Sequence, residues 1–296
     1  MPWLINAGQL EKFRKSQKNV VVLDASWYLP QENKNARAEF IDSHIPGARF
    51  LDLTEFHDPN SPIPNMLSQD TQLIAERIAK LGITNEFKII FYDKSHLHTS
   101  CRALWMFKVF GHNPFQLYVL DGGFNTWQRF GGKEESGEAR VIAPKNYNVN
   151  YQHELVRTLA EMKQNVEHPV EQVIDVRHPT RFAGGADPRP MMRAGHIPGS
   201  FCLPYFSLFE DDGRFKPLDK TRKRLIGMGV DLRLPIVSTC GSGMTAPILD
   251  FVLDLLNHED HGVYDGSWSE WGADKLYLGE TSLAERPIRT SLDEEE

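Results

Sequence analysis

The chain has 296 residues, of which 41% are hydrophobic and 25% charged, and its formal net charge is -7 at pH 7. The length is about twice that of a common domain and the composition is ordinary for a globular protein, so we expect two domains. The acidic balance argues against a nucleic-acid or membrane-surface binder, which needs a basic face. The apolar runs fall far short of the ~18 residues of a membrane-spanning helix.

Four landmarks of the first half return in the same order in the second half, so the chain contains an approximate duplication. The matched segments are Val20–Asp24 with Gln172–Asp175, His44–Ala48 with His196–Ser200, Lys88–Asp93 with Pro235–Cys240, and Asp121–Trp127 with Asp265–Trp271.

Short runs rich in Val and Ile, typical of buried strands, alternate with helical stretches. One helix is predicted over residues 71–81, with Gly82 as its stop signal. The alternation predicts an α/β fold in which each domain is a mainly parallel sheet flanked by helices. We place the domains at residues 1–135 and 153–296, joined by a linker at 136–152 in a polar stretch that contains Gly and Pro.

Cys240 is predicted to end one strand, just before a helix with Pro247 in its first turn, and Asp93 occupies the matching position in the first half. Ligands of parallel sheets bind beyond the carboxyl ends of strands, which makes this loop a candidate site. Glycines and a helix N-terminus favour an anion, so Cys240 is a candidate thiolate nucleophile. The alternative is a small buried hydrophobe. The loop N–H groups that would bind an anionic substrate belong to Gly241, Gly243, Met244 and Thr245.

The loop after Asp93 is longer and lacks both glycines, so we expect its N–H groups not to point inward. A cysteine phosphatase is excluded, because Ala246 stands where its phosphate-binding arginine belongs.

The two His-Ile-Pro-Gly turns, the Cys240 loop and the segment 264–271 resemble the rhodanese family. More narrowly, Cys240-Gly241-Ser242-Gly243 and the segment 24–30 resemble the members that use 3-mercaptopyruvate. The resemblance implies an inactive N-terminal domain and a catalytic C-terminal one. It also implies that 3-mercaptopyruvate gives its sulfur to Cys240 as a persulfide and leaves as pyruvate. A thiol acceptor such as thioredoxin, or cyanide, then takes the sulfur, and neither a metal nor an organic cofactor is needed.

The resemblance also implies that Arg181 and Arg189 bind the substrate, and the carboxylate and ketone of 3-mercaptopyruvate suit a guanidinium fork. Each is otherwise an ordinary surface arginine. No cationic side chain lies between Cys240 and Asp250, which disfavours thiosulfate, a dianion. A thiosulfate sulfurtransferase and a non-catalytic sulfur carrier stay open as alternatives.

Three further side chains have two interpretations each. The Ser242 hydroxyl either hydrogen-bonds the ketone or caps the next helix. The resemblance suggests that His44 acts with this serine, but His196 repeats it in the second half, which favours a role in holding the turn. Arg102 either faces the substrate or forms an interdomain salt bridge.

The cysteines bear on the compartment. The chain has three of them, none in a C-x-x-C pair, and its first residues resemble no secretory signal. We therefore expect a cytoplasmic protein.

Overall fold

The computed structural model describes residues 3–17, 19–140, 142–277 and 279–291. The chain forms two compact units, and each takes a short segment from the other half of the sequence. The first unit comprises Met1–Pro59, Leu67–Gln152 and Phe209–Phe215, and the second comprises Asn60–Met66, His153–Leu208 and Lys216–Glu296.

The first unit is built on a parallel sheet with the strand order β1-β5-β4-β2-β3 in the part of the chain that the structure describes. Its strands are β1 (Leu4–Ile5), β2 (Val20–Asp24), β3 (Arg49–Phe50), β4 (Lys88–Tyr92) and β5 (Leu117–Leu120). Its helices are α1 (Ala7–Ser16), α2 (Ala36–Asp42), α3 (Thr71–Lys80), α4 (Ser100–Val109) and α5 (Gly123–Arg129). The central strands β2 and β4 are apolar and buried almost throughout, as strands with helices on both faces should be.

The second unit repeats this arrangement, with the parallel strand order β6-β10-β9-β7-β8 among its described residues. Its strands are β6 (Val156–Arg157), β7 (Gln172–Asp175), β8 (Phe201–Cys202), β9 (Ile236–Thr239) and β10 (His261–Tyr264). Its helices are α6 (Leu159–Glu167), α7 (Pro179–Phe182), α8 (Leu218–Gly227), α9 (Ala246–Leu255) and α10 (Ser267–Trp271).

Short 3-10 helices connect several of these elements, at Pro30–Glu32, Leu53–Phe56, Pro114–Gln116, His153–Leu155, Tyr205–Leu208 and Leu283–Glu285. Among the residues described, no helix has the length and apolar character that crossing a membrane requires.

The α/β prediction is confirmed, and helix α3 shows why its sequence signals worked. Asp70 caps the helix by accepting hydrogen bonds from the backbone N–H groups of Gln72 and Leu73, each at 3.0 Å. Ile74 and Ile78 are fully buried on one face. The chain leaves the helix at Gly82, whose φ of 66° is easy for glycine.

The predicted linker at 136–152 packs with the first unit and contains no helix or strand in its described residues. Tyr147 is buried, and its hydroxyl lies 2.9 Å from Nδ1 of His112. The N–H of Gln152 donates to the carbonyl of Val109 at 2.7 Å.

Candidate active site

Cys240 directly follows the central strand β9 of the second sheet, and the short loop after it leads into α9. Pro247 stands in the first turn of that helix, where its missing N–H costs nothing. Gly243 has a φ of 78°, so the loop uses the left-handed conformation that glycine tolerates. Cys240 is 1% exposed. The thiol therefore lies between a strand end and a helix N-terminus, as the sequence predicted, and it is buried.

Ser267 was not predicted from the sequence as a site residue, but its side chain contacts Cys240. Its Oγ accepts the Cys240 backbone N–H at 3.1 Å, donates to the carbonyl of Tyr264 at 2.8 Å, and lies 3.8 Å from Cys240 Sγ. Ser267 has a φ of 51°, a left-handed conformation that costs a non-glycine residue free energy. The matching residue of the first half is Gly123, with a φ of 56°. Glycine adopts this φ without strain, so the strained serine beside Cys240 is a reason to test the Ser267 hydroxyl for a functional role.

Arg181 and Arg189 lie in the second unit and share one carboxylate, that of Asp187. Arg189 donates to Asp187 Oδ1 from Nε at 2.9 Å and to Oδ2 from Nη2 at 3.0 Å. Arg181 Nη2 donates to Asp187 Oδ2 as well. The Asp187 side chain is 2% exposed. Burial alone would raise the pKa of Asp187, but the Arg189 hydrogen bond and the charges of Arg189 and Arg181 outweigh it and lower the pKa well below its ordinary value.

Both guanidinium groups face the cysteine loop at Gly241. A Cβ at this glycine would lie 3.4 Å from Arg181 Nη2 and 3.8 Å from Arg189 Nη2. Arg189 Nη1 donates to the Gly241 carbonyl at 2.9 Å, and so does the Ser269 hydroxyl at 2.9 Å. Arg181 Nε is buried and has no hydrogen-bond partner among the described residues. The structure brings together these arginines and the Cys240 loop.

The structure places positive charge at the cysteine loop, contrary to the expectation from the neutral sequence of that loop. The loop itself carries no cationic side chain, but Arg181 and Arg189 bring positive charge to Gly241 from a different loop. The neutral sequence of the loop therefore does not make the site neutral.

Ser242 has a partner that the sequence did not reveal. Asn65 Nδ2 donates to Ser242 Oγ at 3.0 Å and lies 3.2 Å from the Ser242 carbonyl oxygen. Asn65 comes from the segment Asn60–Met66, which belongs to the second unit. Thr245, not Ser242, is the N-cap residue of α9, and it makes no side-chain capping hydrogen bond within this described helix. Met244, also in the loop, is buried.

His44 and Arg102 belong to the first unit. His44 is buried, with Nδ1 2.7 Å from the Phe40 carbonyl and its ring stacked on Phe40 at 4.0 Å. His196 makes the same pair of contacts with Phe182, at 2.8 Å and 3.7 Å. These matching contacts support the interpretation that each histidine holds its turn. Arg102 is fully buried, 4.6 Å from the ring centroid of Trp105.

Asp93 occupies the position in the first sheet that Cys240 occupies in the second, directly after a central strand. Its carboxylate accepts the N–H of Ser95 at 3.1 Å and the N–H of Ser100 at 2.8 Å. The expectation that this loop does not direct N–H groups inward is therefore wrong, because the aspartate side chain orders it without glycines. Burial raises the Asp93 pKa to about 6, against the opposing effect of the Ser100 hydrogen bonds.

The other two cysteines lie outside this loop. Burial, with a contribution from the Asp175 charge, raises the pKa of Cys202 to about 11, so its thiol is protonated at neutral pH. Cys101 is buried in α4.

The comparisons with known proteins agree with this architecture. The Rhodanese-like domain family matches residues 6–130 and 158–274, so the chain belongs to the rhodanese-like family. The human 3-mercaptopyruvate sulfurtransferase is 37% identical over 253 residues, covering 84% of each chain. A thiosulfate sulfurtransferase from Gallus gallus is 35% identical over 252 residues, covering 84% of this chain and 85% of the relative. The crystal structure of SseA from Escherichia coli, described as a 3-mercaptopyruvate sulfotransferase, superposes with a TM-score of 0.82 at 31% identity, covering 91% of this chain and 100% of SseA.

Proposed function

We propose that the chain is a sulfurtransferase that moves sulfur from 3-mercaptopyruvate, through a persulfide on Cys240, to a thiol or to cyanide. The observation that carries the proposal is the arginine pair against Gly241, one residue from the buried Cys240. A guanidinium fork binds a carboxylate and an adjacent ketone in their common plane. The similarity to the human enzyme over most of both chains supports the same donor.

In this mechanism the Cys240 thiolate attacks the donor sulfur while Arg181 and Arg189 hold the carboxylate and ketone. The S–S bond forms as the C–S bond breaks, and the electron pair of the broken bond moves into the ketone to give an enolate. An arginine or the Ser242 hydroxyl stabilises the enolate oxygen, and protonation at carbon gives pyruvate.

Asn65 donates to Ser242 Oγ, so this hydroxyl can direct its own hydrogen to another acceptor. The serine then acts as an oriented hydrogen-bond donor. The loop N–H groups of Gly241, Gly243, Met244 and Thr245 hold the persulfide at the α9 N-terminus.

An acceptor then completes the cycle. A thiolate, such as that of reduced thioredoxin, or cyanide attacks the outer persulfide sulfur and restores the Cys240 thiolate. Because Cys240 must stay reduced between cycles, we place the protein in a reducing compartment such as the cytoplasm. No disulfide joins the three cysteines, all of which lie in the described ranges.

Steady-state turnover with two donors tests this function. We expect pyruvate release from 3-mercaptopyruvate with reduced thioredoxin or cyanide, at a higher kcat/KM than for thiosulfate under the same conditions. A higher kcat/KM for thiosulfate would replace the proposal with a thiosulfate sulfurtransferase. Sulfur uptake that stops after one equivalent, with acceptor present, would indicate a sulfur carrier that is not an enzyme.

A further inference from the structure

Asp187 lies between the two arginines of the donor site, and its carboxylate serves both of them. Oδ1 accepts Nε of Arg189 at 2.9 Å and the Arg189 backbone N–H at 3.0 Å. Oδ2 accepts Nη2 of Arg189 at 3.0 Å and Nη2 of Arg181. The carboxylate is nearly inaccessible, whereas the Arg181 and Arg189 side chains are 26% and 30% exposed. Asp187 is therefore covered, whereas both arginine side chains stay partly accessible to a ligand.

The charges of these three groups add to a single positive charge. The lowered pKa of Asp187 keeps its carboxylate ionised at neutral pH, and each arginine contributes one positive charge. One negative charge between two positive ones leaves the cluster at +1. The groups are in direct contact and partly buried, so solvent screens their mutual influence less than at an open surface.

A second Asp-x-Arg segment in the same unit shows what is special about Asp187. Asp231 binds Arg233 in the same way, through the backbone N–H at 3.0 Å and Nε at 2.9 Å to Oδ1. That pair is exposed, with the Arg233 side chain 87% exposed. Asp231 thus orders only its own turn at the surface. Asp187 also accepts a hydrogen bond from Arg181, which lies eight residues before Arg189 in the sequence.

We propose that Asp187 limits the donor site to one positive charge and thereby selects a donor with a single carboxylate over a dianion such as thiosulfate. This inference rests on the proposed function, because it concerns the choice of sulfur donor. A dianion gains about twice as much from each added positive charge as a monoanion does. Removing the Asp187 charge therefore favours both donors electrostatically, but favours thiosulfate more.

A change in the cysteine loop itself, Gly241→Arg with Ser242→Lys, is a less direct test of donor choice. In the structure, a side chain at position 241 starts against the guanidinium groups of Arg181 and Arg189. An arginine there would repel both and would also disturb the loop. Asp187 is a cleaner position, because an isosteric amide removes the charge alone.

The experiment measures kcat/KM for 3-mercaptopyruvate and for thiosulfate in Asp187→Asn, at one ionic strength and neutral pH. We expect the ratio of thiosulfate to 3-mercaptopyruvate to rise about tenfold, which corresponds to about 1.4 kcal/mol. If the arginines lose their orientation, kcat/KM falls for both donors, and the ratio of the two kcat/KM values cancels this shared loss. Asp187→Glu keeps the charge while moving it, so its ratio should stay within about twofold of the original enzyme. Asp231→Asn, the matched control, should change neither value.

A binding measurement tests the same inference without turnover. In a Cys240→Ser background, sulfate represents the dianion and pyruvate the monocarboxylate. Adding Asp187→Asn should tighten sulfate relative to pyruvate by about tenfold in calorimetric titrations. The inference is overturned if neither ratio moves, or if Asp187→Glu shifts the donor ratio as much as Asp187→Asn does. Failure of the proposed function would instead appear in the unmodified enzyme as missing pyruvate release, with the binding comparison still informative.

Discussion

The loops after β4 and β9 share a backbone hydrogen bond at their first residue but carry different functional groups there. In the first unit the N–H of Phe124 donates to the Asp93 carbonyl at 3.0 Å, and in the second the N–H of Trp268 donates to the Cys240 carbonyl at 3.0 Å. Asp93 then uses its own carboxylate to bind the loop N–H groups of Ser95 and Ser100. Cys240 has no such oxygen and carries a thiol instead.

The surroundings of the two strand ends differ as well. Between β2 and the His44 turn the first half has one arginine, Arg37, and that side chain pairs with Glu138. The matching stretch of the second half supplies the Asp187-held arginines. The strand end and the following helix therefore do not make a sulfurtransferase by themselves. The thiol, the arginine pair and Ser267 distinguish the second unit.

The largest effect is expected from Cys240→Ser, which removes the nucleophile that distinguishes the two loops. Sulfur transfer should fall below detection, because a serine hydroxyl is a poor nucleophile at neutral pH and forms no persulfide. The fold should persist, as a circular dichroism spectrum checks. Cys202→Ser is the control and should keep most of the activity. Substantial turnover by Cys240→Ser would contradict the assignment of the nucleophile to the loop after β9.

A second test concerns Asp93 and the stability of the first unit. Its folded-state pKa of about 6 lies above the ordinary value, so the folded unit holds this proton to higher pH than the unfolded chain does. The contribution of Asp93 to the free energy of unfolding should therefore be largest below pH ~4, and it should decrease by ~2–3 kcal/mol as the pH rises through ~6.

Asp93→Asn should remove that part of the slope. The pKa of Asp24 is also raised by burial, so some slope should remain. Hydrogen exchange of the β4 amides reports on this unit in the whole chain. An unchanged pH profile in Asp93→Asn would mean that Asp93 does not carry the buried charge that we describe.

Asn65→Ala tests whether the hydrogen bonds from Asn65 hold the cysteine loop in place. The first-unit loop differs, because the carboxylate of Asp93 itself binds the loop N–H groups. The variant loses the hydrogen bonds to Ser242, which are worth about 1 kcal/mol. We expect kcat/KM for the donor to fall about five- to tenfold. Asn65→Asp keeps the shape but replaces the Nδ2 donor, so it should lose at least as much. Ser242→Ala combined with Asn65→Ala should be no worse than the more severe single change, and full additivity would refute the coupling.

The smallest effect compares Ser267 with its counterpart Gly123. Glycine relieves the left-handed φ of 51°, whereas alanine keeps the strain and also lacks the hydroxyl. Ser267→Gly should therefore be more stable than Ser267→Ala by about 1 kcal/mol, the reverse of the usual order in a helix. Both should react more slowly with the donor than the unmodified enzyme. Chemical unfolding measures the difference, and an alanine variant at least as stable as the glycine variant would contradict the strain.

The sequence predicted the duplicated α/β fold because its signals are local. Apolar runs such as Val20–Asp24 can be buried only in strands with covered faces, and Asp70 and Gly82 mark the ends of one helix. The position of Cys240 followed from the same periodicity. Arg181 and Arg189 were suggested by the family resemblance, and their common place at Gly241 became visible only in the structure.

The residues that the sequence missed act across long separations or by unusual backbone geometry. Asn65 is 177 positions from Ser242, and nothing local assigns its segment to the second unit. Asp187 had a detectable signal, since an aspartate two residues before an arginine recurs at Asp175, Asp212 and Asp231. Ser267 could have been noticed as the serine that replaces the second glycine of Asp121-Gly122-Gly123.

The central claim, that Cys240 carries the transferred sulfur, is tested most directly by locating the persulfide. The unmodified enzyme is treated with 3-mercaptopyruvate in the absence of acceptor, and its peptides are analysed by mass spectrometry after thiol blocking. We predict a gain of one sulfur atom on the peptide that contains Cys240, and its loss when thioredoxin or cyanide is added. Cys202 should remain unmodified, because its raised pKa of about 11 leaves little thiolate. Extra sulfur found on Cys101 or Cys202 and not on Cys240 would contradict the account.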